Sequence, residues 1–217
     1  PKPRYDAIII GGGGQGVATA YYLAKNHGVT NVALLEKGWI GGGNTGRNTT
    51  VVRSNYFYPE SAAIYGLAHS LYKGLSADLN YNIMLSQRGV LTLAHSETGL
   101  ETAARTLNAI QVNGIDSELL SLDEVRRLVP ISNWGPDARY PVFGGTIQRS
   151  GGTARHDAVA WGYARAASRL GVDIIQNCEI TDFIVEGGRC RGVVTTKGAI
   201  RADRTGMAVA GHSSVLA

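Results

Sequence analysis

Three glycines near the N-terminus have the spacing with which a backbone approaches a phosphate group. Gly11, Gly13 and Gly16 occupy the G-x-G-x-x-G positions of "GGGGQG", and Glu36 follows 20 residues after the last of them. Glycine lets the backbone come close to a pyrophosphate, and the N-terminus of a following helix stabilises its negative charge. An acidic residue at position 36 accepts hydrogen bonds from adenosine ribose hydroxyls and repels a 2′-phosphate. The spacing therefore predicts an adenine dinucleotide site that disfavours NADP.

The elements around these residues are those that such a site needs. "YDAIII" is typical of a buried parallel strand, and "NVALLEK" is a second strand that ends at the acid. Between them, "GVATAYYLAKNHG" predicts a helix with Val17, Ala20, Tyr21 and Ala24 on one face and Gly28 as its C-terminal stop. A glycine motif alone is a weak signal, and a glycine-rich turn without a ligand is its alternative. The order strand, glycine loop, helix, strand and acid is a strong signal.

A second glycine-rich and polar segment, "KGWIGGGNTGRNTTVVRSNY", follows the acid. A domain for NAD alone has no special need of it, whereas flavoproteins of the glutathione-reductase-like type run FAD onward past such a loop. A plain surface loop is the alternative. Arg53 follows the apolar pair Val51–Val52, so we expect it to project from buried backbone, where a guanidinium needs a carboxylate or phosphate partner. The candidate cofactor-binding residues of the two loops are Gly11, Gly13, Gly14, Gln15, Gly16, Glu36, Lys37, Asn44, Thr45, Arg47, Asn48 and Thr49.

The middle of the chain predicts the start of a second domain. "ESAAIYGLAHSLYKGLS" and "ETGLETAARTLNAIQVNG" are helical in pattern, "NIMLSQRGVLTLAH" indicates a strand or hairpin, and "SLDEVRRLVP" begins with a capping pattern, Ser121 before Glu124. The C-terminal part gives strands broken by Gly-Gly and Lys-Gly turns and a final strand "GMAVAG". We therefore divide the chain into a nucleotide-binding domain's first part (1–80), a partial substrate or cap domain (81–148) and the nucleotide-binding domain's second part (149–217).

One histidine is placed unusually. In "TARHDAVAWGYARAA", a stripe at helical spacing contains Val159, Ala160, Tyr163, Ala166, Ala167 and Leu170, and His156 heads that stripe. A ring at the N-terminus of a helix lies in a positive field, which disfavours imidazolium and keeps a nitrogen nucleophilic. From the residues alone, a capping or turn histidine is the simpler interpretation. His212, near the C-terminus, is likewise expected to be structural.

Composition excludes several classes. The 217 residues carry a net charge of +4 without a dense Lys/Arg run, so a nucleic-acid partner is not expected. "PKPR" and the apolar run after it imitate a signal peptide or a membrane span, but Asp6 and four consecutive glycines interrupt them. Cys178 and Cys190 have neither metal spacing nor a disulfide framework, which favours a reducing compartment, the cytoplasm, and no metal. The absence of an initial Met indicates processing or a fragment.

Several segments together resemble a known family. "YDAIIIGGGGQGVATAYYLAKNHGVTNVALLEKGW", "GGNTGRNTTVVRSNY", "SQRGVLTLAHS" and "GVDIIQNCEITDF" are similar to the beta-subunit family of heterotetrameric sarcosine oxidases, within the D-amino-acid-oxidase-like flavoproteins. "RNTTVVRSNY" and "ARHDAVAW" are the specific motifs, since many flavoproteins share the glycine loop. The resemblance covers Tyr5 to Ala217 and implies an α/β fold: a Rossmann-like, glutathione-reductase-like FAD-binding domain with the start of an incomplete α+β substrate domain.

The resemblance also implies cofactors and site residues. FAD is expected to bind noncovalently, with the Ile180 backbone at the adenine and with Ala210 and Gly211 in a second glycine motif near the nucleotide. FMN is expected to be attached covalently to His156, with Arg155 placed to pair with its phosphate. Family members continue beyond this chain, so the remaining substrate domain and a last cofactor-binding segment are expected to lie outside it.

The activity implied by the resemblance is oxidation of the secondary amine sarcosine. Electrons would pass from FAD to FMN and to oxygen, giving hydrogen peroxide, and the imine would yield glycine and formaldehyde or deliver its carbon to tetrahydrofolate on a partner subunit. Arg53 is the candidate for binding the substrate carboxylate, and alpha, gamma and delta subunits are the expected partners. Two alternatives stay open: a related FAD-dependent oxidase or dehydrogenase of N-methyl or imino acids, and a noncatalytic nucleotide-binding fragment.

Overall fold

The computed structural model describes residues 1–135 and 137–216, and the chain divides into two compact units. The first unit contains residues 1–49, 76–83 and 155–217, and the second contains 50–75 and 84–154. Pro136 and Ala217 lie outside the described residues, so the predicted C-terminal limit of the third segment does too.

Eleven strands and six helices are assigned within the described residues. The strands are β1 (Arg4–Ile10), β2 (Val32–Leu35), β3 (Val51–Val52), β4 (Val90–Ala94), β5 (Glu118–Ser121), β6 (Gly144–Gln148), β7 (Gly152–Thr153), β8 (Asp173–Ile175), β9 (Ile180–Glu186), β10 (Arg189–Thr195) and β11 (Gly198–Met207). The helices are α1 (Gly14–His27), α2 (Pro59–Leu79), α3 (Glu97–Val112), α4 (Leu122–Leu128), α5 (His156–Arg169) and α6 (Ser213–Leu216).

The first unit is built on a six-stranded sheet with the order β8-β2-β1-β11-β10-β9. Strand β1 pairs in parallel with β2 on one side and with β11 on the other, and β8 extends the parallel part beyond β2. Strands β10 and β9 continue the sheet in antiparallel pairing. This arrangement confirms the predicted Rossmann-like α/β class, and it brings the carboxyl ends of β1 and β2 to the same edge of the sheet.

Burial explains why the N-terminal elements form where the sequence predicts them. Helix α1 buries the predicted face of Val17, Ala20, Tyr21 and Ala24, and it ends at Gly28, whose φ of 66° is the left-handed conformation of a helix C-cap. Apolar side chains of the sheet and its flanking segments form a core made of Tyr5, Ile8, Ile10, Ala33, Leu35, Cys178, Ile180, Val193, Ile200 and Ala202.

The end of the last strand differs from the prediction. A strand was expected over "GMAVAG", but β11 begins at Gly198, pairs first with β10 and then with β1, and ends at Met207. The chain then enters a short 3₁₀ turn, Ala210–His212. The reason is that β1 ends at Ile10: the Ala208 N–H still donates to the Ile10 carbonyl oxygen, but β1 supplies no partner for the residues after it.

The second unit has its own sheet and core. Strands β4, β6 and β5 form an antiparallel sheet in which β6 is central, and α3 and α4 pack near it. Its core contains Leu120, Val125 and Ile147. Helix α4 begins with the predicted capping box, in which Ser121 and Glu124 each bind the other's backbone N–H. A separate two-stranded ladder pairs β3 with β7.

The apolar run near the N-terminus raised the question of a membrane-spanning segment, which the helices of the structure address. Of the helices described, none combines the length and the apolar character needed to cross a bilayer.

Candidate functional site

The glycine loop joins β1 to α1 so tightly that two of its positions admit no side chain. The Gly11 N–H donates to the Leu35 carbonyl oxygen at 2.8 Å, and Gly11 has a φ of 107°. A Cβ on Gly16 would overlap the Gly11 carbonyl oxygen and lie 3.0 Å from its carbonyl carbon. The first turn of the helix is therefore pressed against the loop, as close helix–strand packing at the third glycine of the motif requires.

The first turn of α1 contains no acidic side chain that could neutralise the positive end of the helix. Gly13 occupies the N-cap position and gives no side-chain cap. The Gly14 N–H donates to Thr45 Oγ1 at 2.8 Å, which ties the second polar loop to the helix. The N–H groups of a first helical turn lack intrahelical acceptors and carry the positive end of the helix dipole. This arrangement suits a phosphate.

Glu36 stands where the motif requires an acid, and the backbone holds its carboxylate. Oε2 accepts a hydrogen bond from the Gly12 N–H at 2.7 Å, and Oε1 accepts one from the Gly38 N–H at 2.7 Å. Each carboxylate oxygen has a further lone pair, so both can still accept from a hydroxyl. The carboxylate is therefore held in one orientation with lone pairs available, and its ribose-binding role stays a prediction.

The polar loop after the acid is folded against the glycine loop. The Gly41 N–H donates to the Gly12 carbonyl oxygen at 2.9 Å, and Asn44–Arg47 forms a 3₁₀ turn. The Asn48 side chain donates from Nδ2 to the Thr45 carbonyl oxygen at 2.6 Å. Arg47 is the exposed cation of this polar loop. In the part of the chain that the structure describes, no acidic side chain lies within 4.0 Å of it. Lys37 and Thr49 are also exposed.

The segment that precedes the predicted residues Ala210 and Gly211 reaches the glycine loop through the backbone of Ala208. The Ala208 N–H donates to the Ile10 carbonyl oxygen at 2.8 Å, which places the segment after β11 directly beside Gly11. Ala210 and Gly211 lie in the turn that follows, and Ala210 has a positive φ of 49°. Ile180 is buried as the first residue of β9. His212 is exposed in the turn.

His156 is the first residue of α5, as the pattern predicts. Its Nδ1 is buried and forms no hydrogen bond with any residue that the structure describes, and Asp157 Oδ1 lies 4.0 Å away. The stripe behind it is buried at Val159, Ala160, Tyr163, Ala166 and Ala167, whereas Leu170 is 39% exposed because the helix ends at Arg169. A buried imidazole nitrogen without a hydrogen-bond partner among the described residues is an unusual feature.

Arg155 already has a partner within the chain. Its Nε donates to Asp157 Oδ1 at 2.9 Å and its Nη2 donates to Asp157 Oδ2 at 2.6 Å, a bidentate pair. The hydrogen bond from Arg155 lowers the pKa of Asp157 to about 2. Of the guanidinium nitrogens, Nη1 takes no part in this pair.

Arg53 lies in the second unit, directly after β3, where Val51 is 44% exposed, so the expectation that Arg53 follows buried backbone is wrong. Its Nη1 donates to the Asn55 carbonyl oxygen at 3.3 Å and to Asn55 Oδ1 at 2.8 Å, and its Cζ lies 4.3 Å from the centroid of the Tyr56 ring. Within residues 1–135 and 137–216, no carboxylate lies within 4.0 Å of this half-buried guanidinium. Both N–H bonds of Nη1 are used, so the Nε and Nη2 edge is left for a bidentate carboxylate.

The structure thus brings together the predicted residues of the first unit. The glycine loop, Glu36, Thr45 and the segment after β11 meet at one edge of the sheet, while Arg53 belongs to the other unit. Sequence reasoning missed Ala208, Tyr56 and the buried Gln148, whose amide binds Ser54. An aromatic residue shortly after Arg53 was a usable signal for Tyr56. Nothing in the sequence pattern marked Gln148.

Where the structure describes the chain, no group of three or more His, Cys, Asp or Glu side chains is arranged to hold a metal.

Comparison with known sequences places these features in a wider group. Residues 6–217 match the sequence model of a family described as "FAD dependent oxidoreductase". The chain is 57% identical over its whole length to sarcosine oxidase subunit beta of Rhodobacter capsulatus and 54% identical to that of an Arthrobacter species, covering 52% and 54% of those proteins. The chain therefore spans about half the length of the curated relatives that it matches.

Solved structures show the same fold. L-proline dehydrogenase from P. horikoshii superposes with a TM-score of 0.90 at 24% identity, over 100% of this chain and 55% of that one. Glycine oxidase from Geobacillus kaustophilus superposes with a TM-score of 0.84 at 22% identity, over 95% of this chain and 55% of that one.

Proposed function

This chain belongs to the FAD-dependent oxidoreductase family, and from that premise we propose that the full-length protein is the flavin-bearing beta-type subunit of a cytoplasmic sarcosine-oxidising enzyme. The observation that carries the proposal is the identity of 54–57% to sarcosine oxidase beta subunits, which extends over the whole chain. The reaction is the oxidation of sarcosine with oxygen and water to glycine, formaldehyde and hydrogen peroxide. On a partner subunit, the carbon goes instead to tetrahydrofolate.

The residues of the first unit fit FAD. Gly11, Gly13 and Gly16 leave room for a pyrophosphate at the N-terminus of α1, with Gly14 and Gln15 contributing the adjoining backbone. The Glu36 carboxylate is already held by two backbone N–H groups and takes the ribose hydroxyls. Lys37, Asn44, Thr45, Arg47, Asn48 and Thr49 are proposed to lie along the cofactor, and Ile180, Ala210 and Gly211 to contact its nucleotide half.

Arg53 binds the substrate carboxylate in this proposal. Asn55 and Tyr56 hold one side of the guanidinium, and the Nε and Nη2 edge has the geometry for two parallel hydrogen bonds to a carboxylate. When bound, the two flavins supply a hydride acceptor for the amine and a route for the electrons from FAD through FMN to oxygen. Fixing the carboxylate at one end leaves the N-methyl group of sarcosine to be positioned by the rest of the site.

His156 is the proposed point of covalent FMN attachment. The support is its buried Nδ1 at the N-terminus of α5, because this nitrogen has a lone pair or proton that no residue described in the structure binds. Asp157, the neighbouring acid, is held by Arg155 in a bidentate pair. Arg155 retains Nη1 for a phosphate oxygen of FMN. Alpha, gamma and delta subunits complete the proposed heterotetramer.

The experiment uses the full-length subunit assembled with its partners. Arg53→Ala should weaken sarcosine binding by about 2–5 kcal/mol, the cost of removing one partner of a desolvated charge pair, and Arg88→Ala should leave it unchanged because Arg88 is an exposed arginine of the same unit. The His156 peptide should carry the mass of FMN, while FAD should be released by acid.

Each contrary result would refute one specific part of the proposed function. Unchanged sarcosine affinity in Arg53→Ala refutes the carboxylate role. An unmodified His156 peptide refutes the FMN link. Oxidation of another imino acid in place of sarcosine supports the related oxidases or dehydrogenases, and an assembled protein without flavin supports a noncatalytic nucleotide-binding role.

A further inference from the structure

A single buried amide holds the residue that follows Arg53. Gln148, the last residue of β6, is 0% exposed. Its Oε1 accepts the Ser54 N–H at 2.9 Å, and its Nε2 donates to Ser54 Oγ at 2.8 Å. Both polar ends of one amide therefore bind one residue, and they fix the backbone and the side chain of Ser54 together.

The amide is itself anchored from behind. Gln148 Nε2 is 3.2 Å from Asp116 Oδ1, and the Asp116 carboxylate accepts from Ser150 Oγ at 2.6 Å and from the Ser150 N–H at 2.9 Å. Although burial raises the pKa of Asp116, the hydrogen bonds from Ser150 outweigh it, and the pKa lies below its ordinary value. An ionised acceptor makes the amide contact stronger and fixes which end of the amide faces it.

The same segment is fixed on its N-terminal side. Val51 and Val52 pair with Thr153 and Gly152 in the ladder of β3 and β7. The Thr50 carbonyl oxygen accepts the Ala154 N–H at 3.0 Å. Arg53 therefore lies between a strand ladder and the contact of Ser54 with Gln148.

Burying a primary amide is costly unless each polar group finds a partner, and an apolar side chain of similar size would fill the same space without that cost. An apolar side chain, however, cannot form the directional hydrogen bonds that Gln148 makes with Ser54. We propose that Gln148, supported by Asp116, is a positioning residue that sets the direction of the Arg53 guanidinium for substrate carboxylate binding. This inference rests on the proposed function, in which Arg53 binds that carboxylate.

The test compares variants of the full-length protein assembled with its partners and flavins. Gln148→Leu removes both contacts to Ser54, and Ser54→Ala removes only the Oγ contact. Gln87→Leu is the matched control, because Gln87 is exposed and its Nε2 donates to the Ser150 carbonyl oxygen at 2.7 Å, an atom that takes no part in the contacts with Asp116. The readouts are KM and kcat for sarcosine and the Kd for acetate, measured by titration calorimetry as a probe of the carboxylate site alone.

We expect Gln148→Leu to raise KM and the acetate Kd by about ten- to a hundredfold, since small displacements of a binding group have effects of this size. We expect kcat to change much less. Ser54→Ala should raise both constants by roughly two- to tenfold, the worth of one hydrogen bond. Gln87→Leu should leave them unchanged.

The outcomes separate this inference from the proposed function. If Arg53→Ala destroys acetate binding while Gln148→Leu matches Gln87→Leu, the positioning role is overturned and the carboxylate role stands. If Arg53→Ala leaves acetate and sarcosine binding intact, the proposed function of Arg53 fails first. If Gln148→Leu does not fold, Ser54→Ala decides, and unchanged constants there overturn the inference.

Discussion

The packing of Gly16 against Gly11 gives a sharp test of the glycine loop. Gly16→Ala places a methyl group on the Gly11 carbonyl, whose atoms belong to the backbone and cannot move aside without displacing the loop. Gly14→Ala adds the same methyl group two residues earlier in the same helix. There, the nearest atom is Thr45 Oγ1 at 3.6 Å, an ordinary van der Waals distance. The two variants differ in this contact while their chemistry is the same.

The expected magnitude follows from the two environments. Forcing a methyl group into a packed interior costs about 1–3 kcal/mol, and a rigid backbone neighbour places Gly16→Ala at the upper end of that range. Gly14→Ala should be neutral or slightly stabilising, because alanine favours a helix over glycine by up to about 1 kcal/mol. At roughly 2 cal/mol/K of unfolding entropy per residue, a protein about twice the length of this chain shifts by about 1 °C per kcal/mol, so we expect the Tm of Gly16→Ala to fall by roughly 2–3 °C.

Thermal unfolding and flavin content should be measured on both variants in the full-length protein. Gly16→Ala should also retain less FAD, since the methyl group moves the backbone that faces the pyrophosphate, whereas Gly14→Ala should retain the cofactor. Equal Tm values and equal FAD content in the two variants would refute the reasoning. A loss of FAD in Gly14→Ala alone would place the phosphate on a different part of the loop.

Two further predictions concern single side chains. Glu36→Gln should raise the Kd for FAD by on the order of ten- to a hundredfold, because hydrogen bonds to a charged group are worth about 1.5–3 kcal/mol, and equilibrium dialysis showing unchanged affinity would contradict the ribose role. Burial raises the pKa of Tyr5 to about 12, and its hydroxyl donates to Asp173 Oδ2 at 2.8 Å. The neutral phenol thus stabilises the fold below the unfolded pKa of about 10, and this contribution is lost as the pH rises through 12. Tyr5→Phe should remove this loss from the alkaline stability profile, and a profile identical to wild type would exclude it.

Much of the first unit could be predicted because its signals are local. The apolar face of α1 and the glycine at its C-cap each depend on residues within a few positions, and the same holds in the second unit for the capping box of α4. The glycine spacing also fixed where Glu36 must lie, since parallel strands bring their carboxyl ends to one edge. The final strand was misplaced because its end depends on the length of β1, far away in the chain.

The local environments of the other candidate residues could not be predicted in the same way. Arg155 pairs with Asp157 two residues away, but only the backbone at the start of α5 decides that the two side chains meet in a bidentate pair. The freedom of the Nε and Nη2 edge of Arg53 depends on Asn55 and Tyr56 folding back over the guanidinium. Sequence identified these arginines as candidates, and the structure determined which of their N–H groups remain for a ligand.

The sequence by itself determined the α/β class, the nucleotide-binding motif, the position of the acid and the placement of His156 at the start of a helix. These features follow from residue type and short-range periodicity, which act before any long-range contact forms. Only the tertiary structure decided that Gln148 holds Ser54, a partner 94 residues away, and that the segment after β11 lies against Gly11. The physical reason is that a hydrogen bond between distant residues depends on the path of the whole chain. In addition, a single buried amide produces no periodic pattern in the sequence.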